Sequence, residues 1–346
     1  MKKLYKYLSP FAPDQSGACG VLYELGGIIV ICDAGGCTGN ICGFDEPRWS
    51  TKRSAVFSAG LRDMDAIMGR DDKLIEKLSS AQQLIGARFA AIIGTPVPAV
   101  IATDMTALKR LTEKKLGIPC ITVECSGTHY YDIGEERAWL ALFSEFAKEK
   151  YPTVTGKTGI IGATPLETGC IDSGYLQKLA MENGVTDPVI FGCGSSLDDI
   201  IKASACENII AVSVSAIKSA EYLHERFGIP YTVRYPFLSD DIIATVKNCK
   251  GKVLVVDSQI KANEIRKCSS VPENITCASW FMMNEGHTCP QDIHIKGEDE
   301  LMDIVADGNY DNILADHDME RVVRAAGFTG KFIDIPHFAV SGRLKK

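Results

Sequence analysis

Short apolar runs of strand length alternate along this chain with longer segments of helical period. The runs are Gly27–Cys32, Phe89–Ile93, Cys120–Val123, Thr158–Ile161, Pro188–Phe191, Ile209–Val214, Val253–Val256, Thr276–Phe281, Asn312–Ala315 and Lys331–Ile335. Continuous apolar runs bounded by turn residues predict strands buried on both faces. Helical period appears over Asp63–Leu84, from the Asp104 cap to Lys115, and over Glu135–Tyr151, Gly169–Gly184, Leu197–Ala205, Ala216–Phe227, Gln259–Cys268, Glu298–Ala306 and Glu320–Ala326. Strand–helix alternation is the pattern of parallel sheets with crossover helices. The turn-rich Lys150–Lys157 reads as a linker, and Asn248–Lys252 as a second break. The expected organisation is three small doubly wound α/β domains, 1–150, 151–248 and 249–346.

Composition narrows the class. A length of 346 residues exceeds one ordinary core, and 46% hydrophobic with 23% charged residues fits a soluble globular protein. The net charge of −7 argues against nucleic-acid or anionic-membrane partners. No apolar run approaches the roughly 20 residues of a membrane span, and none follows Met1-Lys2-Lys3 as a signal peptide would require. A cytoplasmic location is expected. Thirteen cysteines in a reducing compartment are then not a disulfide framework. Cys120, Cys170, Cys206, Cys249, Cys268 and Cys277 sit in apolar or amphipathic surroundings and read as packing residues.

Chemistry concentrates in Gly17–Trp49, which holds Cys19, Cys32, Cys37 and Cys42 around the first predicted strand. A glycine-bearing loop, Asp33–Gly39, follows that strand. Ligand sites of open parallel sheets lie at the carboxyl ends of strands. Thiolates there suit iron–sulfur clusters, because soft sulfur matches iron and backbone amides can hydrogen-bond cluster sulfides. No ferredoxin spacing accompanies them. Phe191-Gly192-Cys193-Gly194-Ser195-Ser196 lacks the rest of a nucleotide fingerprint and reads as a tight strand–helix turn. His129, His287, His294 and His337 fall in or near loops after strands, where a polar cleft would form.

The order of these pieces resembles the nitrogenase component 1 family, over about residues 10 to 343. Asp33-Ala34-Gly35-Gly36-Cys37-Thr38-Gly39 is similar to the family's HGPxGC loop. Asp63 through Leu74, Gly94 through Asp104, Leu116 through Gly127 and Leu223 through Tyr231 resemble further family segments in the same order. The resemblance implies three Rossmann-like, doubly wound parallel-sheet domains around a central cleft. It implies an oxidoreductase component with an iron–sulfur cluster at a subunit interface, of 4Fe–4S type. The partners implied are a second copy of the chain or a homologous subunit, and an ATP-dependent 4Fe–4S reductase of the nitrogenase iron-protein type.

Carried over residue by residue, Cys37 matches the cluster cysteine of the loop, within Gly36 and Gly39. Cys19 lies near the family's first cluster cysteine, and the third falls on Pro96, which cannot ligate iron. Cys42 or Cys125 is left as a further ligand. Two good thiols per chain imply a cluster shared across a homodimer, with Cys19 and Cys37 from each copy. The position of the cofactor cysteine falls at or near Val212, so no iron–molybdenum cofactor and no dinitrogen reduction are expected. Pro336 through Gly342 resembles the family segment that carries the cofactor histidine. His129, His287 and Glu124 are candidate proton donors to a substrate in the cleft. The alternative is a non-catalytic scaffold for cofactor assembly.

Overall fold

The computed structural model describes residues 5–69 and 71–338. Met1-Lys2-Lys3, Arg70 and the end of the 336–342 segment lie outside the described residues. Three sheets form, every ladder parallel. The first is β2-β1-β3-β4, from β1 (Ile28–Ile31), β2 (Ala55–Ser58), β3 (Ala90–Ile93) and β4 (Cys120–Val123). The second is β6-β5-β7-β8, from β5 (Val154–Ile161), β6 (Pro188–Ile190), β7 (Cys206–Ala211) and β8 (Tyr231–Val233). The third is β11-β10-β9-β12-β13, from β9 (Val253–Val256), β10 (Ile275–Ser279), β11 (Ile293–His294), β12 (Asn312–Ala315) and β13 (Lys331–Asp334). The fold class is therefore three doubly wound α/β units.

Interior strands β1, β3, β9 and β12 are buried at every position, because helices cover both faces of each sheet. The segment read as a linker is already strand from Val154, which pairs with Cys206. β7 ends at Ala211, and Val214 opens the next helix instead of ending the strand.

The strand orders fix where a ligand can sit. In each sheet the chain builds outward on one side and then returns to the other. The reversal falls between β1 and β3, between β5 and β7, and between β9 and β12. Ligand crevices open outside the carboxyl ends of strands at such switch points.

Among the helices absent from the sequence pattern, one shapes the site. Asp14–Leu22 packs on Tyr131–Phe146, and all of its residues are buried. The crossing is backbone to backbone: a Cβ on Gly17 would lie 1.9 Å from the Tyr131 carbonyl oxygen, and one on Gly134 1.7 Å from that of Asp14. Ahead of this helix the chain straps the third unit, where the Lys6, Tyr7 and Leu8 amides donate to the Glu298 carboxylate at 2.8–2.9 Å. Among the described residues no helix is long and apolar enough to cross a membrane.

Candidate functional site

At the first switch point, β1 runs into Asp33, whose buried carboxylate accepts from the Thr38 amide at 2.7 Å and from Ser58 Oγ at 2.6 Å. This pins the loop bearing Cys37 to the end of β2. Gly35 turns the loop at φ 121°, a conformation that needs glycine. A Cβ on Gly36 or Gly39 would meet nothing within 4 Å, so the chain itself leaves this loop open to approach.

Four thiols lie around this loop and its supports. Cys37 and Cys42 are half-buried. Burial, with the Asp33 and Asp14 carboxylates, pushes the Cys37 thiol up. Burial, Glu46 and Asp33 push Cys42 up to about 11. Cys19 is 0% exposed on the helix Asp14–Leu22, and burial, Glu46 and Cys42 hold it well above the ordinary thiol range. Cys42 is thus among the groups that act on Cys19, whereas those acting on Cys37 are Asp33 and Asp14. Cys125 is 4% exposed at the end of β4, and burial and Asp14 raise its pKa. Asp14 organises this corner: its carboxylate accepts from the Ser126 amide at 2.9 Å and the Gly127 amide at 2.8 Å.

Protonated thiols in this setting release their protons when metal binds. The donors fit half of an iron–sulfur site: soft sulfur at an accessible edge, backed by carboxylates. Among the described residues no set of three thiols from one chain has metal-ligand spacing. The group that does is Asp316, His317 and Asp334, at the ends of β12 and β13.

Behind the thiols, Arg48 is fully buried against Tyr23. It donates to Glu46 at 2.6 and 2.7 Å, to the Gly20 carbonyl at 2.6 Å and to the Gly192 carbonyl at 2.8 Å. The glycine turn 192–194 thus serves to lock the second unit onto the Cys-rich stretch, with the Gly194 amide donating to Glu24 at 2.8 Å.

The candidate proton donors do not converge. His129 and Glu124 line a cavity of about 340 Å³ on the first unit, with Cys125, Ser126 and Arg137. His129 Nδ1 lies 3.6 Å from Asp14 and 3.2 Å from Ser126 Oγ. His287 lines a different cavity of about 540 Å³, beside Asn263, Arg266 and Cys289.

A buried polar junction where the three units meet was not among the sequence candidates, apart from His337. His337 Nδ1 lies 2.8 Å from Asp257 and its Nε2 lies 2.7 Å from Tyr131 Oη. Tyr131 Oη also donates to Glu167 at 2.8 Å, and Ser258 Oγ donates to the other Glu167 oxygen at 2.5 Å. Lys261 Nζ lies 2.7 Å from Asp257 and donates to the Pro336 carbonyl at 2.6 Å. Asp257 and Asp316 follow β9 and β12, and Glu167 follows β5, so the second and third switch points face each other here. Phe281 packs 5.0 Å from the Tyr131 ring and 5.1 Å from the His337 ring. The sequence carried one signal of this: IIVICD, VLVVD and ILAD each end an apolar strand run on a carboxylate, at Asp33, Asp257 and Asp316.

Tyr131 Oη therefore joins Glu167 to His337 within the junction. Burial would raise Asp257, but Lys261 and His337 outweigh it and hold the carboxyl near 2. Burial lifts Asp132 to about 6 and, with Glu167, holds Glu135 well above the carboxylate range. A raised carboxyl contributes stability that is fully present below its unfolded value and is lost as pH rises through its folded value. For Asp132 that window runs from about pH 4 to about pH 6 and is worth on the order of 3 kcal/mol. Denaturant titrations should therefore give higher stability at pH 5 than at pH 7.5; equal or lower stability at pH 5 would contradict the buried environment of these carboxyls.

Comparison with known proteins places this arrangement. The family model described as nitrogenase component 1 type oxidoreductase matches residues 16–247. Two solved structures titled nitrogenase Cp1, at pH 6.5 and at pH 5, superpose with TM-scores of 0.72 and 0.70. They share 9% and 13% sequence identity with the chain, covering 98% of it and 88% and 85% of their own lengths, which establishes likeness of fold. No curated protein sequence matches significantly. Thiols at the first switch point, three facing α/β units and the matched family model lead to one assignment: the chain belongs to the nitrogenase component 1 type oxidoreductase family.

Proposed function

We propose that the chain is the substrate-reducing component of a two-component iron–sulfur system. The observation that carries this reading is the pair of half-buried thiols at the first switch point, Cys37 on the open glycine loop and Cys42 on the helical turn Ile41–Asp45 that follows it. They would hold one half of a 4Fe–4S cluster, with Cys19 and Cys125 buried behind them. A second copy of the chain would contribute the same thiols across a two-fold axis. When bound, such a cluster supplies one-electron transfer.

The other roles fall to the chain's own groups. Asp33 and Asp14 hold the loop and its support in position. Arg48 fixes the thiol-bearing stretch to the second unit. The crevice between the second and third units receives the substrate. The hydrogen-bonded chain Glu167, Tyr131 and His337 lies beside that crevice. His129 and Glu124 can exchange protons at the first-unit cavity. Both ring nitrogens of His337 are engaged within the chain, which supports the reading that no iron–molybdenum cofactor hangs from it.

The electron source in this reading is an ATP-dependent reductase of the nitrogenase iron-protein type. Anaerobic mixing with such a reductase, dithionite and ATP should bleach the visible absorbance of the loaded protein. Bleaching should require both ATP and the reductase. No ATP-dependent change, with reductase activity verified separately, would overturn the electron-acceptor role.

A further inference from the structure

Between the second and third units lies an open cavity of about 210 Å³, lined by residues that follow β5, β8, β9 and β13. It opens at the carboxyl ends of strands from both sheets, where the doubly wound topology places ligands. Its walls are apolar, formed chiefly by Leu176, Leu179, Phe237, Leu238, Ile242 and Ile335.

Polar groups interrupt this lining, Thr168, Tyr175 and Ser239 among them, and three bear on what it can bind. Lys261 is held by Asp257 and the Pro336 carbonyl, and its ammonium has no further acceptor among the described residues. Tyr235 is 3% exposed, and its hydroxyl has no hydrogen-bond partner among the described residues. The Tyr235 hydroxyl is thus left to the cavity, where a ligand oxygen can accept from it. Cys170, read from sequence as packing, is half-buried on the cavity wall. The two strong groups, Lys261 Nζ and Tyr235 Oη, are both donors.

We propose that this cavity binds a small, largely apolar organic molecule of single-ring size whose carbonyl or carboxylate oxygen accepts from Tyr235 and Lys261. The proposal rests on the reading of this crevice as the substrate site and names the class of substrate. Size argues the same way. The cavity lies below the roughly 300–1,000 Å³ of drug-sized ligand sites, so a tetrapyrrole macrocycle or a large metallocofactor does not fit it.

The test uses the full chain, purified anaerobically, with and without its cluster. Phenylacetate, phenylacetamide and ethylbenzene are titrated by calorimetry and by saturation-transfer NMR. At least one of the two oxygen-bearing probes should bind at least five-fold more tightly than ethylbenzene. Preference for phenylacetate over its amide assigns an acid; equal binding assigns a neutral carbonyl. Tyr235→Phe should weaken binding about five- to ten-fold, the value of one hydrogen bond. Leu179→Trp, which fills the cavity, should abolish binding, with circular dichroism confirming its fold; Tyr235→Phe decides alone where that variant does not fold. No binding of either oxygen-bearing probe, or binding unchanged by Tyr235→Phe, would overturn the proposal. Because binding is read without turnover, a negative result on protein that still accepts electrons separates this proposal from the electron-transfer reading.

Discussion

Replacing Asp257 with alanine should destabilise the protein by about 3–5 kcal/mol, the cost of leaving buried charge without its counter-ion. Asp257 is fully buried, 2.7 Å from the Lys261 ammonium and 2.8 Å from the His337 ring. It also accepts from the Ser258 amide at 2.7 Å. Alanine strands the lysine and leaves His337 Nδ1 without an acceptor. The hydrophobic gain from a methyl group is small against that. Asp257→Asn keeps shape and one acceptor but not the charge, so it should fall between wild type and alanine. Chemical denaturation at neutral pH measures both. A loss below about 1 kcal/mol for alanine would mean that the junction is wet and its charges are screened, as exposed pairs are.

Gly134→Ala should be comparably severe, at or above the roughly 3 kcal/mol upper range of overpacking. The added Cβ would sit 1.7 Å from the Asp14 carbonyl oxygen, a backbone atom that no rotamer change can move. Relief requires the helices Asp14–Leu22 and Tyr131–Phe146 to part. That displaces Asp14 from the Ser126 and Gly127 amides and carries Cys19 with it. Gly36→Ala is the contrast: its Cβ meets nothing, and thermal stability should be unchanged. Equal melting temperatures for the two variants would show that the helix crossing is looser than described.

Much of this fold was legible because interior parallel strands are buried on both faces and therefore appear as unbroken apolar runs. The edges were not. β2 (Ala55–Ser58) alternates between partly buried, buried and exposed positions, and β11 is two residues long. The helix Asp14–Leu22 escaped for the opposite reason. It is buried all round and built from small and polar residues, so it has no amphipathic stripe. The helix Asp240–Asn248 also went unread, following directly on the extended Tyr235–Phe237 stretch.

The thiol-bearing loop was readable as a local motif: a strand, then glycines, then Cys37. Its neighbours were not, because sequence distance hides that Cys42 acts on Cys19 and Asp14 on Cys37. The junction was least legible. Tyr131, Glu167, Asp257, Lys261 and His337 come from five separate segments, and each alone is an ordinary residue after a strand or on a helix. His287, grouped with His129 by its loop position, lines another cavity because its loop belongs to the third sheet.

The central claim is that the Cys37 edge holds half of a cluster completed by a second copy. Anaerobic iron–sulfide reconstitution, followed by iron analysis, electron paramagnetic resonance and native mass measurement, tests it most directly. The account predicts a brown dimer with about four irons per two chains, a reduced 4Fe–4S signal, and loss of both colour and signal in Cys37→Ala without loss of fold. Wild-type protein that stays free of iron after reconstitution, or a Cys37→Ala variant that loads iron as wild type does, would contradict it.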